Sequence, residues 1–340
     1  MKLAFAVAVA LGASLLGVAG SPTARAEPAT PEGSLRLRVL TLNMGGLRYP
    51  PRLGWVGDHS RCAHRFGSVG DHIREASPRY DIVGLQELYR APDLGILTCD
   101  PRPFVEALDP PADRPGMVSR RLFLPAGERW RLEADGGIGL VTRHTIERSG
   151  SWRFTGSGGP LRAARGVLYA RVAISGSALR VEAYVVHLSA GRGGAEQRRR
   201  ELRALSEVIA ANSGSSGNPV LILGDFNVDG TPGVSAEYDR MVELLRQPRD
   251  LWREANPTLE GYTFDCRGNA LAAMRKCDDQ ARIDYVLVAT HPEFTRSRYT
   301  VTVDEGGVRL VGWRTRDAEM LPVSDHYGEE AFLGFRASKK

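Results

Sequence analysis

Lysine is almost missing from this chain. Lys2, Lys276, Lys339 and Lys340 are the only four in 340 residues, so its positive charge is nearly all arginine. Cysteine is scarce as well. Cys62, Cys99, Cys266 and Cys277 form no C-x-x-C pair and have no histidine at zinc-finger spacing, which argues against a structural zinc site. Beyond the first few turns' worth of residues, no run is long and apolar enough to span a bilayer. There is no internal repeat, no collagen-like period and no low-complexity linker. Solenoids, fibres and wholly disordered chains are thereby excluded. What remains is a globular composition, with room for one large domain or two small ones. With nothing to divide it, a single domain from about 35 to 337 is the simplest reading.

The start of the chain predicts export. Lys2 supplies a short positive region, Leu3 to Val18 is apolar, and Ala24-Arg25-Ala26 puts small residues where signal peptidase needs them. Residues 1–26 read as a signal peptide cut after Ala26. The apolar run is short and broken by glycine, which weighs against a membrane anchor. Residues 27–34, rich in Pro, Ala and Gly, read as a flexible mature N-terminus. Loss of Lys2 and Arg25 leaves 43 basic against 40 acidic side chains, net +3. So small an excess fits nucleic acid, an anionic membrane surface or neither, and a general bias toward arginine also accounts for it. In an exported protein an even cysteine count favours disulfides. Sequence proximity points to Cys62–Cys99 and Cys266–Cys277, one of three possible pairings.

Period-two apolar patterns mark strands. They lie at Leu35 to Asn43, Asp81 to Leu88, Gly139 to Thr142, Gly166 to Ile174, Leu179 to Leu188, Val220 to Leu223 and Ile283 to Ala289. Tyr299 to Val303 and Val308 to Trp313 flank Asp304-Glu305-Gly306-Gly307, which reads as a hairpin turn. Ala195 to Ala211 is the clearest helix, with Leu202, Leu205 and Ile209 on one stripe. Met241, Leu244 and Leu245 indicate a second. The mixture favours an α/β sandwich over a doubly wound parallel sheet.

Polar residues recur at the ends of these apolar strands: Asn43, Gln86-Glu87, His187, Asp225 with Asn227, Asp284, and Asp325-His326. A strand running into a carboxylate is costly unless the group meets a metal, a charge or donors. One such residue is ordinary; six sites of acid, amide or imidazole are not. The types suit phosphodiester hydrolysis. Mg²⁺ takes oxygen ligands, with waters and substrate phosphate completing its shell, and Glu87 and Asn43 meet that need. An imidazole held by a carboxylate can activate water; His326 with Asp284 is that pair. Asp225 and Asn227 can orient the water and phosphoryl oxygens, and His187 can donate to a non-bridging or leaving oxygen.

The ordered set Leu42-Asn43, Leu85-Gln86-Glu87, His187-Leu188, Gly224-Asp225-Phe226-Asn227, Arg282 to Val286 and Ser324-Asp325-His326 resembles the endonuclease/exonuclease/phosphatase superfamily. The resemblance spans residues 42 to 326. It implies a four-layered, DNase-I-like α/β sandwich, two packed mixed β-sheets flanked by helices, with metal-dependent phosphoesterase chemistry. It further implies Asn43 and Glu87 as metal ligands, His326 as general base and Asp284 as its partner. His187, Asp225 and Asn227 become phosphate and water binders, and Asp325 a further metal or water ligand. The implied cation is Mg²⁺, with Mn²⁺ or Co²⁺ as in vitro substitutes.

The superfamily hydrolyses both lipids and nucleic acids, so fold alone does not choose. Ala164-Arg165-Gly166 resembles the Lys-Gly strand of neutral sphingomyelinases, with Arg165 for Lys. Gly261-Tyr262-Thr263-Phe264-Asp265 resembles their Tyr-Thr-Trp-Asp stretch. Together with export, these point to a secreted sphingomyelin phosphodiesterase of the bacterial type, a monomer in peripheral contact with membrane. The alternative is a secreted Mg²⁺-dependent nuclease, with Arg192, Arg198, Arg199 and Arg200 near the site; Arg198 to Arg200 point in different directions on a helix and read instead as a solvated face. Lipid-cleaving members seat on membranes through an aromatic-tipped hairpin before the Ser-Asp-His segment. Here the corresponding tip, Asp304 to Gly307, is acidic and small, with Tyr299 and Trp313 nearby.

Overall fold

The computed structural model describes residues 34–46, 61–89, 99–108, 120–123, 136–156, 164–233, 236–275 and 277–338. The expected signal peptide, and all of the expected flexible N-terminus but Ser34, lie outside them. Among the described residues no helix is long and apolar enough to cross a membrane.

Two six-stranded sheets form the middle of the molecule. The first contains β1 (Ser34–Asn43), β2 (Ile82–Gln86), β3 (Arg120–Phe123) and β4 (Gly139–Thr142). It is completed by two late strands, 299–311 and 328–337. The second contains β5 (Thr145–Arg153), β6 (Gly166–Ala173), β7 (Arg180–His187) and β8 (Val220–Asp225), then β9 (Arg249–Asp250) and β12 (Asp284–Val288). Two-residue strands β10 (Phe264–Asp265) and β11 (Gln280–Ala281) pair separately. The late strands of the first sheet are β13 (Tyr299–Val311) and β14 (Gly328–Ala337). Each sheet mixes directions: β1 runs parallel to β2, β7 parallel to β8, and their other neighbours are antiparallel.

The strand period explains the layering. Leu37 and Val39 face the other sheet and meet Val185, Leu221, Leu223 and Val286 in an inter-sheet core. Leu40 and Leu42, one step out of phase, face outward. There they pack on α1 (Cys62–Glu75) and α2 (Arg102–Leu108) through Phe66, Val69, Ile73 and Phe104. In the second sheet Val186, Ile222, Tyr285 and Leu287 face outward onto α3 (Ala195–Ser213) and α4 (Ala236–Leu244). Leu202, Leu205 and Ile209 of α3 form the buried stripe. The order is therefore helix, sheet, sheet, helix: a four-layered α/β sandwich.

Gly84 lets the two sheets approach closely. A Cβ there would lie 3.1 Å from Val185 and 3.2 Å from Leu223. Gly224 meets a stricter limit. Its φ is +151°, and a Cβ would stand 2.1 Å from the Val186 carbonyl of the parallel neighbour. Gly224→Ala is therefore expected to destabilise the protein by about 1–3 kcal/mol or more. Urea unfolding measures this; an unchanged midpoint would mean that β7 and β8 can spread at no cost.

The hairpin expected at Asp304 to Gly307 is absent. β13 pairs with β14 on both sides of these residues, Val303 opposite Leu333 and Val308 opposite Ala331. The extra residues form a bulge within one long strand. Asp304 is held flat by Arg36 Nε of β1 at 2.6 Å, and Gly306 leaves room for the Phe332 ring beneath it. No tip projects there. Tyr299 and Trp313 are partly buried, Trp313 stacked on His72 with ring centroids 5.1 Å apart.

Candidate active site

The strand ends converge laterally. In the second sheet His187 (β7), Asp225 (β8) and Asp284 (β12) are direct cross-strand partners, so three polar residues form one row at one sheet end. In the first sheet Asn43 (β1) stands opposite Gln86 (β2), one residue before Glu87. Asn43 Nδ2 donates to Asp225 Oδ2 at 2.9 Å and so joins the two sheets. Glu87 and Asn227 both adopt left-handed backbone, with φ of 58° and 51°. That conformation is costly for glutamate and turns the chain sharply at the strand end.

These elements open on a cleft of about 630 Å³ lined by Glu87, His187, Asp225, Asn227 and His326. Asn43, Asp284 and Asp325 do not line it. They are buried and reach it through the residues that do. Asp284 Oδ2 lies 2.8 Å from His326 Nδ1 and leaves Nε2 for the cleft. His326 lies among three carboxylates. Burial opposes its charge, but Asp284, by charge and hydrogen bond, then Asp325 and Asp225, lift it to about 10. Asp225 is raised to about 7, first by burial and then by the charge of Asp284. Its Oδ1 accepts the Asn227 backbone N–H at 2.8 Å.

His187 behaves oppositely. Burial, then the positive charges of Arg165 and His326, hold it well below its ordinary value. Arg165 Nη1 donates to its Nδ1 at 2.7 Å, which places the ring proton on Nε2, 3.4 Å from Asp225 Oδ2. One histidine is thus kept neutral and the other charged in the same cleft.

Other groups position these residues, and of them Arg65 and Arg275 carry no distinguishing mark in the sequence. Ser324 Oγ donates to the Asn43 carbonyl at 2.5 Å and accepts the His326 N–H at 3.0 Å. Thr263 Oγ1 accepts the Asp284 N–H at 3.1 Å, and the Thr263 carbonyl accepts the Tyr327 N–H at 2.7 Å. The Gly261 to Asp265 stretch therefore stitches the Asp284 strand to the His326 segment. Arg65 of α1 bridges Gly45 and Val323 carbonyls at 3.0 and 2.9 Å. The cysteines pair as Cys62–Cys99 and Cys266–Cys277. Arg275, which pairs with Asp325 across the cleft wall, has no signal beyond its charge.

Of the arginines after His187, Arg198 departs from the expectation of a solvated face. It is buried, grips both Glu237 oxygens at 2.6 and 2.8 Å, and caps the Ser189 and Gly191 carbonyls. Arg199 and Arg200 are exposed and bind Glu196 on their own helix.

The residues fit a hard divalent cation. One ligand atom from each of Asp225, Asp284 and His326 lies within 4.8 Å of the others, all buried. Asp284 Oδ1 is a buried carboxylate oxygen with no hydrogen-bond partner. Such an orphan is expensive unless a cation or water meets it. Glu87 shares the cleft but stands outside that tight group.

The chain belongs to the Endonuclease/Exonuclease/phosphatase family, whose model matches residues 40–326. Its fold is thus of the phosphodiesterase type. Solved structures with the same fold include TDP2 from D. rerio in complex with a single-strand DNA product, at 19% identity and TM-score 0.61, covering 88% of this chain and 98% of that one. Sphingomyelinase C from Streptomyces griseocarneus is 21% identical, TM-score 0.56, covering 88% and 99%. A beta toxin variant from Staphylococcus aureus with bound magnesium ions is 17% identical, TM-score 0.60, covering 90% and 100%. A sequence comparison with curated proteins gives no match.

Proposed function

We propose that this protein is a secreted, Mg²⁺-dependent phosphodiesterase that hydrolyses sphingomyelin to ceramide and phosphocholine. The observation that carries the reading is the buried His326–Asp284 pair opening on a cleft that also holds Asp225, His187 and Glu87. His326 Nε2 takes a proton from the attacking water while Asp284 fixes Nδ1 and the charge that develops on the ring. Asp225 and Asn227 orient the water and the phosphoryl oxygens. Neutral His187, with its proton on Nε2, donates to a phosphoryl oxygen. Asn43 and Glu87, with Asp325 as a further ligand, would hold the cation. Bound there, it supplies Lewis-acid polarisation of the phosphoryl group and offsets its negative charge.

The lipid preference is supported by position as well as resemblance. Arg165, before the Gly166 strand, and Phe264, in the Gly261 to Asp265 stretch, both border the cleft. Export is supported by two disulfides in a chain with no other cysteine. A nuclease remains the second reading, favoured by the guanidinium groups of Arg165 and Arg275 on the cleft wall. Arg198 adds nothing to it, being committed to Glu237.

The test is to offer purified protein with Mg²⁺ both sphingomyelin vesicles and plasmid DNA. Phosphocholine release without nicking supports the lipid reading, and nicking without phosphocholine overturns it in favour of the nuclease. Activity on neither, with EDTA and Mg²⁺ giving the same lack of turnover, overturns both.

A further inference from the structure

The wall of the cleft beside His326 is not built by either sheet. It is an excursion between β10 and β11, closed by the Cys266–Cys277 disulfide with a sequence separation of 11. Asn269 ties the excursion to the segment that carries His326. Asn269 is 2% exposed. Its Oδ1 accepts the N–H groups of Leu271 and Ala272, which starts the short helix α6 (Ala270–Ala273). Its Nδ2 donates to the Ser324 carbonyl at 3.0 Å. Ser324 is the residue whose hydroxyl orders Asn43 and His326. The crosslinked loop is therefore referenced directly to the reacting residues, not to the outer surface.

What the loop delivers there is a guanidinium group. Arg275 ion-pairs with Asp325, and its Cζ lies 5.3 Å from the centroid of the Phe264 ring. Phe264 in turn lies 5.3 Å from the His326 ring and pairs with it by a backbone bridge. Phe264, Arg275 and His326 all line the same cleft. Arg275 is a quarter exposed, so solvent and solutes reach it. A planar guanidinium held over an aromatic face keeps its donor edge aimed in one direction, and that edge matches two oxygens of a phosphate.

We propose that Arg275 is a phosphate-binding residue of this cleft, positioned by the Cys266–Cys277 loop, and that it acts on substrate binding more than on the chemical step. The assignment rests on the phosphodiesterase reading above and adds a residue to it. Arg275 meets the phosphodiester from the His326 side, and Asp325 holds it there when the cleft is empty of substrate. The loop gives the site a redox dependence as well, because opening the crosslink frees the segment that carries Arg275.

The test uses the full mature chain, a soluble chromogenic phosphodiester for turnover, and inorganic phosphate for binding by calorimetry. Arg275→Gln is expected to raise KM about tenfold, the cost of one charge-assisted contact, with kcat within about threefold of wild type. Phosphate affinity should fall by a similar factor, and Arg275→Lys should recover part of both. Cys266→Ser with Cys277→Ser should raise KM likewise, and combining it with Arg275→Gln should add little further. An unchanged KM and phosphate affinity in Arg275→Gln, with a wild-type melting temperature, overturns the proposal. So does a loss confined to kcat, or full additivity with the cysteine pair. If wild type binds phosphate through Arg275 yet turns over no phosphodiester, the functional reading fails while the binding assignment stands.

Discussion

His326→Ala is expected to lower kcat by roughly 10²- to 10⁴-fold, the range for removing a positioned general base, while leaving the fold intact. The geometry sets the direction. His326 Nδ1 is taken by Asp284 at 2.8 Å, so only Nε2 can serve the cleft, and the other imidazole among the described residues lining it is His187. His187 is locked by Arg165 and held well below its ordinary pKa, so it cannot pick up a proton near neutral pH. The base must be neutral to act. With only its carboxylates around it, His326 stays charged up to about 10. Turnover should therefore rise with pH, and raising Mg²⁺ should move that rise to lower pH, since a cation held by Asn43, Glu87 and Asp325 opposes the negative charges that protonate the ring. In His326→Ala the rise should vanish along with the rate. Near-normal turnover in a variant with wild-type circular dichroism and melting temperature would remove His326 from the mechanism. A pH–rate profile insensitive to Mg²⁺ would mean that the cation sits elsewhere.

Much of this arrangement is legible in the amino-acid sequence, for a physical reason. The site is built at the ends of buried strands, and buried strands carry the strongest sequence pattern there is, an apolar run ending abruptly in a polar group. Asn43, His187, Asp225 and Asp284 each end such a run or begin one. The register then does the rest, because neighbouring strands that end level bring their last residues together. Elements that satisfy charge inside the protein are illegible. β14 begins Gly328-Glu329-Glu330, whose charges hide the strand, and the sequence reading places none there. Yet Glu330 is fully buried against Arg38, Arg309 and Tyr80. Its partners come from β1, β13 and the residue pair before β2, and no local window contains them. The helix α1 is hidden similarly: its buried stripe Phe66, Val69 and Ile73 is broken up by Arg65, Gly67, Ser68 and Gly70. The Asp304 to Gly307 segment misleads in the other direction. Its composition demands a turn, but a long partner strand absorbs the extra residues as a bulge. Arg198 shows the same limit for a single residue, since the charge that makes its burial tolerable, Glu237, lies in the next helix.

Glu87→Gln is the second large effect, and it separates cation binding from proton transfer. The substitution keeps size and hydrogen-bonding shape but removes one formal charge at a position only 6% exposed. Magnesium depends on hard, charged oxygen. In the ligand role proposed for Glu87, losing the carboxylate should cost at least the roughly 10- to 100-fold in metal affinity that outer-shell partners cost. The half-saturating Mg²⁺ for turnover should rise by that factor, with most of kcat recovered at high Mg²⁺. A readout free of catalysis should agree. Mg²⁺ that binds only the folded protein raises its stability by RT ln(1 + [L]/Kd), about 2.7 kcal/mol at a hundredfold excess over Kd. At a fixed Mg²⁺ concentration that shift in melting temperature should largely disappear in Glu87→Gln. His326→Ala should retain it, because that variant leaves every carboxylate and Asn43 in place. The two substitutions are thus expected to fail in opposite columns: one loses turnover and keeps the metal-dependent stabilisation, the other loses the stabilisation and recovers turnover as Mg²⁺ is raised. An unchanged Mg²⁺ titration in Glu87→Gln would shift the ligand role to the group the structure gathers within 4.8 Å, Asp225, Asp284 and His326. His326→Ala would then lose both properties together, and the histidine would have to be reassigned from base to ligand.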